Sequence, residues 1–364
     1  MSKAWLFVGV LAGCDGGPGV KECVLVEVES AIEEPTTWTG GKTYHVAVAG
    51  FKVASDLTIE PGAVVKFEPQ WPMWVNVGSL TALGTAAAPI VFTSAADDTV
   101  GCDVDGSPTE GAPGDWPGIS LDAALGAAFD HVEVWYAGEG GAAALLLEDQ
   151  VVPVTNSVFA YNAGMGLEAG AANQPLRIEG DTFFGNQRPL GISAAISLTD
   201  DHGNVFHRGE VGNTENAVFL TQSSPVGFGD GDDKTVDWGV TEVPFVLNPG
   251  LLSVRPTNTW QLWDGVTVKA VAGSEIQFFT DNLRLGQGAV FTSWLDDTVG
   301  GDSNADGGAT TPNEGDWQGV FDEDFSSDDP EEGAYVSSAA VRYDAVHDAS
   351  TSSGEHPFEF PAPQ

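Results

Sequence analysis

Four short stretches in the middle of the chain decide the fold: residues 130–134 read DHVEV, 156–160 NSVFA, 180–184 GDTFF and 203–207 GNVFH. Their first residues are separated by 26, 24 and 23 positions. Each stretch begins with a residue that suits a tight turn and continues into β-branched or aromatic side chains. The recurrence predicts a repeat protein in which each stretch is one strand of a coil.

Strands this short are not stable alone, whereas a parallel stack satisfies their backbone groups from the coils above and below. Asn162 and Asn186 follow two of the stretches at matching offsets. No heptad and no amphipathic helical pattern of useful length competes. We therefore predict an all-β chain that forms a right-handed parallel β-helix, a solenoid with coils of about 23–26 residues.

A longer duplication also spans much of the chain. Residues 92–101 read FTSAADDTVG, and residues 291–300 read FTSWLDDTVG, 199 positions later. GDWPG at 114–118 returns as GDWQG at 315–319. Looser echoes connect residues 57–67 with the stretch from 266, and residues 128–134 with 340–346. The predicted segments are a β-helix module at 35–235, a second, incomplete β-helix module at 236–348, and an acidic, proline-containing tail at 349–364.

The stretch LTIEPGAVVKF at 57–67, followed by a glycine-rich coil and then Gly-Asp-Trp-x-Gly, is typical of one family. It resembles the right-handed parallel β-helix repeat proteins of bacterial surfaces, which share the fold of pectate lyase. The resemblance covers roughly residues 35–348. It implies the architecture rather than an activity, because this fold hosts enzymes, adhesins and scaffolds alike.

The N-terminus looks like an export signal. Lys3 precedes an apolar stretch of ten residues, Ala4–Gly13, which is too short to span a bilayer but suits a signal peptide. Residues 11–14 read LAGC and resemble the lipobox of bacterial lipoproteins, in which the cysteine is lipidated. We expect a lipoprotein signal peptide at 1–13, a lipidated Cys14 and a tether at 14–34; an ordinary signal peptide is the alternative.

This resemblance implies an exported protein that the lipid on Cys14 holds at a membrane of the cell envelope. We expect the outer membrane or the cell surface rather than the inner membrane. Two further cysteines, Cys23 and Cys102, can form a disulfide in an oxidising compartment. Two free thiols are equally consistent with the sequence.

The charge balance excludes one class of partner. The chain has 53 acidic and 13 basic residues, for a formal net charge of −40. Nucleic acid is not an expected partner, because its phosphates are bound by lysine and arginine. The acidic residues either form a solvated, self-repelling surface or include clusters that hold divalent cations.

The best candidate cation site lies in residues 296–307, which read DDTVGGDSNADG. Oxygen ligands at alternate positions followed by glycine resemble the first half of an EF-hand calcium loop, although Asn313 stands where that loop has its bidentate glutamate. A shell of hard oxygen ligands favours Ca²⁺ over a transition metal. The predicted ligands are Asp297, Asp302, Asn304, Asp306 and Asp316.

The first copy of this loop is shorter by two residues and lacks the asparagine. Its candidate ligands are Asp98, Asp103 and Asp105, from which we expect a weaker site or none. For both copies the alternative is a solvated turn. A third acidic stretch, residues 227–233, is expected to be a loop.

Catalytic patterns are scarce. No HExxH, Gly-x-Ser-x-Gly or phosphate-loop motif is present. Asp200-Asp201-His202 invites comparison with β-helix glycosidases, but a turn between coils explains it better. Five tryptophans could stack on sugars, although core packing is the simpler role: Trp71, Trp74, Trp135, Trp260 and Trp263.

The sequence therefore favours a non-enzymatic, lipid-anchored surface protein, stabilised by Ca²⁺, that serves adhesion, envelope structure or glycan contact. Its partner would be the membrane and either a polysaccharide or another surface protein. The alternative is a carbohydrate-active enzyme, a polysaccharide lyase or glycoside hydrolase of the β-helix fold. A passive spacer without a ligand is a third possibility.

Overall fold

The computed structural model describes residues 23–122, 126–148, 152–170, 176–221, 226–227, 234–279, 281–324, 333–345 and 355–363. The predicted signal peptide, Cys14 and the first part of the tether lie outside these residues. Among the described residues, helix is confined to two 3₁₀ turns, η1 (Glu139–Gly141) and η2 (Asp200–His202). Neither turn is long and apolar enough to cross a membrane.

The chain divides into two compact units, and in each of them short parallel strands stack coil upon coil. Unit 1 comprises residues 1–169, 176–189 and 207–213, and unit 2 comprises 170–175, 190–206 and 214–364. The predicted all-β parallel solenoid is thereby confirmed.

Unit 1 contains three ladders, which are stacks of strands that pair side by side, all of them parallel. Strands are numbered in chain order. Ladder A consists of β1 (Leu25–Val28), β3 (Thr43–Val46), β6 (Val64–Phe67), β9 (Ile90–Ser94), β12 (Val132–Trp135), β15 (Val158–Ala160) and β18 (Thr182–Phe184). Ladder B consists of β4 (Phe51–Val53), β7 (Met73–Val75), β10 (Ile119–Leu121), β13 (Leu145–Leu147) and β16 (Met165–Ala169). Ladder C consists of β2 (Thr36–Trp38), β5 (Leu57–Ile59), β8 (Leu80–Leu83), β11 (Ala127–Asp130), β14 (Val154–Thr155) and β17 (Ile178–Glu179).

Unit 2 contains three more ladders, parallel except for one pair. Ladder D consists of β19 (Arg188–Ile192, of which residues 190–192 belong to unit 2), β21 (Val218–Leu220), β24 (Phe245–Leu247), β27 (Thr267–Ala270) and β30 (Val290–Ser293). Ladder E consists of β20 (Leu198–Thr199), β23 (Thr235–Gly239), β26 (Thr259–Leu262) and β29 (Leu283–Leu285). Ladder F consists of β22 (Val226–Gly227), β25 (Gly250–Ser253), β28 (Ser274–Phe278), β31 (Gly319–Asp322), β32 (Ala334–Ser337) and β33 (Glu355–Pro357). In ladder F, β32 pairs with β31 in the antiparallel sense.

The coils explain the periodicity of the sequence. Ile119 pairs with Leu145, and Leu145 pairs in turn with Leu167, so the chain returns to the same place once in every coil. All three side chains are buried, since alternate residues of each strand face the interior. The first coil begins at Leu25, within the residues that the sequence assigns to the tether.

An asparagine ladder supports the turn after ladder A in unit 1. Asn162 Nδ2 donates to Asn186 Oδ1 at 2.8 Å, and Asn186 Nδ2 donates to Asn213 Oδ1 at 2.8 Å. Asn162 and Asn186 are fully buried. Their matching offsets in the sequence therefore mark a real repeat, and Asn213 extends it by one coil.

The preceding turn corrects the sequence alignment by one position. His131, Asn156 and Gly180 occupy the same place in three coils, with φ of 50°, 50° and 70°. The first of the three repeat intervals is therefore shorter by one position than the sequence suggested. The reason is that His131, and not Asp130, takes the left-handed conformation that the turn requires.

Candidate cation sites

Two long insertions interrupt the regular coils. The first insertion, residues 97–116, follows β9 in unit 1, and the second insertion, residues 296–317, follows β30 in unit 2. They lengthen the local repeat without breaking the ladders, because Val91 still pairs with Glu133 and Glu275 still pairs with Gly319. Each insertion begins with one of the two copies of the DDTVG sequence.

A buried aspartate starts each insertion in the same way. In the first, Asp97 Oδ2 accepts a bond from Thr93 Oγ1 at 2.7 Å, and its Oδ1 accepts one from the Thr99 amide at 3.0 Å. In the second, Asp296 makes the equivalent bonds with Thr292 and Thr298 at 2.7 and 3.0 Å. Both aspartates are fully buried. The first aspartate of DDTVG therefore fixes the turn, which leaves the second free to point elsewhere.

A buried tryptophan ends each insertion. Trp116 Nε1 donates to the carbonyl of Trp135 at 2.9 Å, and Trp317 Nε1 donates to the carbonyl of Arg342 at 2.8 Å. The repeated Gly-Asp-Trp sequence is thus structural. Its aspartate in the second insertion, Asp316, accepts bonds from Ser293 Oγ at 2.5 Å and from the Asn313 amide at 3.0 Å.

The second insertion brings three of its predicted ligands together. One carboxylate oxygen each of Asp297, Asp302 and Asp306 lies within 4.8 Å of the other two. Asn304 lies against this triad, because its Nδ2 donates to Asp306 Oδ2 at 3.2 Å. Asp316, which closes the insertion, is not one of the three grouped acids.

One oxygen of this triad lacks a hydrogen bond. Asp297 Oδ1 is buried and has no hydrogen-bond partner among the described residues. Burial raises the pKa of Asp297 above its ordinary value, and the charges of Asp302 and Asp306 raise it further. Asp306 differs, since a hydrogen bond from the Thr310 hydroxyl lowers its pKa. A buried carboxylate oxygen with no donor is costly unless a cation or a proton compensates it.

The first insertion groups its three candidates in a similar way. Carboxylate oxygens of Asp98, Asp103 and Asp105 lie within 4.8 Å of one another. Asp98 and Asp103 also accept backbone bonds from within the insertion, the former from Thr109 at 2.9 Å and the latter from Gly106 at 2.7 Å. The third acidic stretch cannot be compared, because residues 228–233 lie outside the described part of the chain.

A buried lysine lies beneath each triad, and the sequence did not reveal it. Lys66 donates to the carbonyl of Asp97 at 2.5 Å and lies 3.6 Å from Asp98 Oδ1. Lys269 donates to the carbonyl of Gly301 at 2.6 Å. Burial lowers the pKa of both lysines, and the nearby aspartates oppose that effect. Each insertion therefore lies over one fully buried lysine side chain.

A disulfide attaches the first insertion to the first coil. Cys23 and Cys102 are bonded, with their Cα atoms 5.6 Å apart. The Cys102 amide also donates to Thr43 Oγ1 at 2.9 Å. At the position of Cys102, the second insertion has Gly301, whose carbonyl binds Lys269.

The candidate catalytic residues have structural partners. Asp200 accepts bonds from the amide and hydroxyl of Thr241 at 3.1 and 2.6 Å. The hydroxyl of Thr199 donates to Asp201 and lowers its pKa, which disfavours Asp201 as a general acid. These contacts fit the turn that the sequence predicts.

The five tryptophans have different environments. Trp260 is fully buried, whereas Trp74 and Trp263 are 42% and 40% exposed. Each exposed ring lies against a glycine, where an added Cβ would come within 3.2 Å of Trp74 at Gly50 and within 3.0 Å of Trp263 at Gly239. Trp263 Nε1 donates to Asp237 Oδ1 at 3.1 Å, which fixes the ring. Trp71 and Trp135 are partly exposed.

No family model, no curated protein and no solved structure matches this chain. The candidate sites therefore rest on their own geometry.

Proposed function

We propose that this chain is a non-enzymatic structural protein of the bacterial cell envelope, held at a membrane by a lipid on Cys14 and stabilised by Ca²⁺. The orphaned Asp297 oxygen beside Asp302 and Asp306 is the observation that supports it most strongly. A long polar insertion gains order when a cation crosslinks its carboxylates, so the expected role of the ion is to stiffen the surface of the solenoid.

The chemistry of the second insertion favours a divalent, oxygen-seeking ion. Three carboxylates and the Lys269 ammonium carry a formal charge of −2, which a divalent cation neutralises. The grouped donors are all oxygens, which suit Ca²⁺ or Mg²⁺ rather than Zn²⁺. Several exposed loop oxygens allow the high and irregular coordination that Ca²⁺ accepts and Mg²⁺ does not.

The disulfide supports export. Disulfides persist in oxidising compartments and are rare in the cytosol. The lipobox-like LAGC sequence also indicates export, and the proposed location is the outer membrane or the cell surface.

Glycan contact is the part of the proposal that Trp263 supports. A ring held by Asp237 over Gly239, with 40% of its surface exposed, can stack against the apolar face of a sugar. Pull-down on a panel of envelope polysaccharides tests it: Trp263→Ala should lose binding, while Tyr161→Ala, another exposed aromatic, should keep it. Release of reducing ends from the same panel would contradict a non-enzymatic role.

The calcium test is thermal unfolding of the purified protein in EDTA and in a calcium series. At a hundredfold excess over Kd, binding stabilises the folded state by about 2.7 kcal/mol, which corresponds to a rise of roughly 5–10 °C for a unit of this size. Asp302→Asn/Asp306→Asn should abolish the rise. Glu314→Gln, an exposed acid of the same insertion, is the matched control. No rise in the unmodified protein would leave the triads as solvated turns.

A further inference from the structure

The stacked strands of unit 2 end in a backbone edge that must be paired and an apolar interior that must be covered. The last strand of a parallel ladder leaves one edge of backbone N–H and C=O groups unpaired, and the apolar interior beside it is open. Such an end is a template for another chain. In unit 2 the strands concerned are β29, β30 and β31.

Residues 333–345 and 355–363, here named the C-terminal cap, cover all three edges. Against β31 the cap places β32, which runs antiparallel and packs Tyr335 on Phe321, with ring centroids 5.0 Å apart. Because the chain direction is reversed, β32 does not continue the coil as another parallel strand would.

The other two edges receive backbone hydrogen bonds, two on β30 and one on β29. On β30, the Phe291 amide donates to the carbonyl of Ala340 at 2.8 Å, and the Arg342 amide donates to the carbonyl of Phe291 at 3.1 Å. On β29, the Leu285 amide donates to the carbonyl of Pro361 at 2.9 Å. At β29 and β31 the edge is thus paired by chain that does not repeat the coil, whereas at β30 the pairing is a single parallel bridge between Phe291 and Val341.

Two aromatic residues of the cap cover the interior. Phe358 lies 5.3 Å from the fully buried Phe278, and Phe360 lies 6.3 Å from the fully buried Phe291, between ring centroids. Glu359, between them, faces solvent. The sequence Phe-Glu-Phe therefore closes the apolar end with one face and presents a charge on the other.

We propose that the C-terminal cap blocks a self-association surface, and that without its last segment the end of unit 2 binds a second copy of this chain. A second copy is the fitting occupant because its own strand edges and alternating side chains match a parallel ladder. Such a contact uses different surfaces on the two partners, so it does not close and would generate chains of increasing length. Neither calcium nor the lipid anchor takes part in this contact.

The test compares the full chain with a deletion of residues 355–364 and with Phe358→Ser/Phe360→Ser, by sedimentation velocity over a hundredfold range of concentration. We expect the two variants to form assemblies that grow with concentration and retain the β signal in circular dichroism, while the full chain and Glu359→Ala do not. A synthetic peptide of residues 355–364, added in trans, should reverse assembly of the deletion variant.

Two results would overturn the proposal. One is a deletion variant and a serine variant that both stay monomeric with the unfolding midpoint of the full chain. The other is association that accompanies loss of the β signal and that the peptide does not reverse, since this would be aggregation of unfolded protein.

Discussion

Replacing Asn186 with alanine tests whether side-chain ladders hold the coils of unit 1 together. The Asn186 amide makes four hydrogen bonds and is fully buried. Its Oδ1 accepts from the amide and the Nδ2 of Asn162 at 3.2 and 2.8 Å. Its Nδ2 donates to the carbonyl of Phe159 at 2.9 Å and to Asn213 Oδ1 at 2.8 Å.

Alanine removes all four bonds and fills none of the space with a polar group. At about 1 kcal/mol of net stability for each bond, the loss is about 4 kcal/mol. That is a large fraction of the roughly 5–15 kcal/mol that a folded domain has. The expected fall in the unfolding midpoint is about 8–16 °C for a unit of this size.

Urea unfolding followed by circular dichroism measures this loss. Asn76→Ala, at an exposed position of the same unit, is the matched control and should change stability by less than about 0.5 kcal/mol. Asn213→Ala should fall between the two, because Asn213 is the less buried end of the ladder. Equal stability of Asn186→Ala and Asn76→Ala would show that the asparagine ladder contributes nothing to the stability of unit 1.

Three further predictions concern single groups. The disulfide links residues 79 positions apart, so removing it by Cys23→Ser/Cys102→Ser gives the unfolded chain more conformational entropy. The free energy of unfolding, measured in urea, should fall by about 4.5 kcal/mol. Thiol titration that finds both cysteines free in the unmodified protein would contradict this prediction. Burial raises the pKa of Asp181 well above its ordinary value, so the folded state binds a proton at this carboxylate more tightly than the unfolded state does. The contribution of Asp181 to the free energy of unfolding therefore rises as pH falls from neutral towards about 4. Asp181→Asn should therefore stabilise the protein at pH 7 and flatten the pH profile, whereas an unchanged profile would contradict it. Lys269→Met leaves the acids of the second insertion without their ammonium, so we expect the free energy of unfolding in EDTA to fall by about 3 kcal/mol. Calcium should restore part of that stability. Equal stability with and without Lys269 would show that the lysine does not compensate the charges of these acids.

The coils were predictable from sequence because each is specified locally. Three features recur in the same order from coil to coil, which are a turn residue, a short β-branched run and an asparagine. The sequence of a single coil is therefore enough to specify its strand and its turn. Even there the alignment was off by one at Asp130, because two adjacent residues both suit a turn and only the backbone distinguishes them.

The buried lysines could not be predicted, because the register between the two halves was ambiguous. In the structure Val268 pairs with Phe291 as Val65 pairs with Phe92, so Lys269 is the counterpart of Lys66. The echo from residue 266 does not align these two lysines. A pattern of alternating apolar residues matches itself at every shift of two, and only pairing with the next coil decides which shift is real.

The same ambiguity of register affected the predicted correspondence between residues 128–134 and 340–346. Val341 pairs with Phe291 as Val134 pairs with Phe92, so its counterpart lies further along the chain than the sequence suggested. The corrected register brings Tyr343 into line with Tyr136, and both have a positive φ, 58° and 59°. The shared left-handed conformation of Tyr136 and Tyr343 thus supports this register, which the comparison of amino-acid sequences alone did not find.

With the register corrected, the two insertions share the buried residues that frame them and differ mainly in what attaches them. Both begin at a buried aspartate, end at a buried tryptophan and lie over a buried lysine. The first is tied by a covalent bond through Cys102, so its carboxylates need no ion to keep it in place. The second has Gly301 there, two additional residues and Asn304. Asp98 Oδ1 and Asp297 Oδ1 are alike in lacking a hydrogen bond, but Asp98 Oδ1 lies 3.6 Å from the Lys66 ammonium. Since an untethered loop gains most from a crosslink, calcium is expected to matter in the second insertion, where the disulfide is missing.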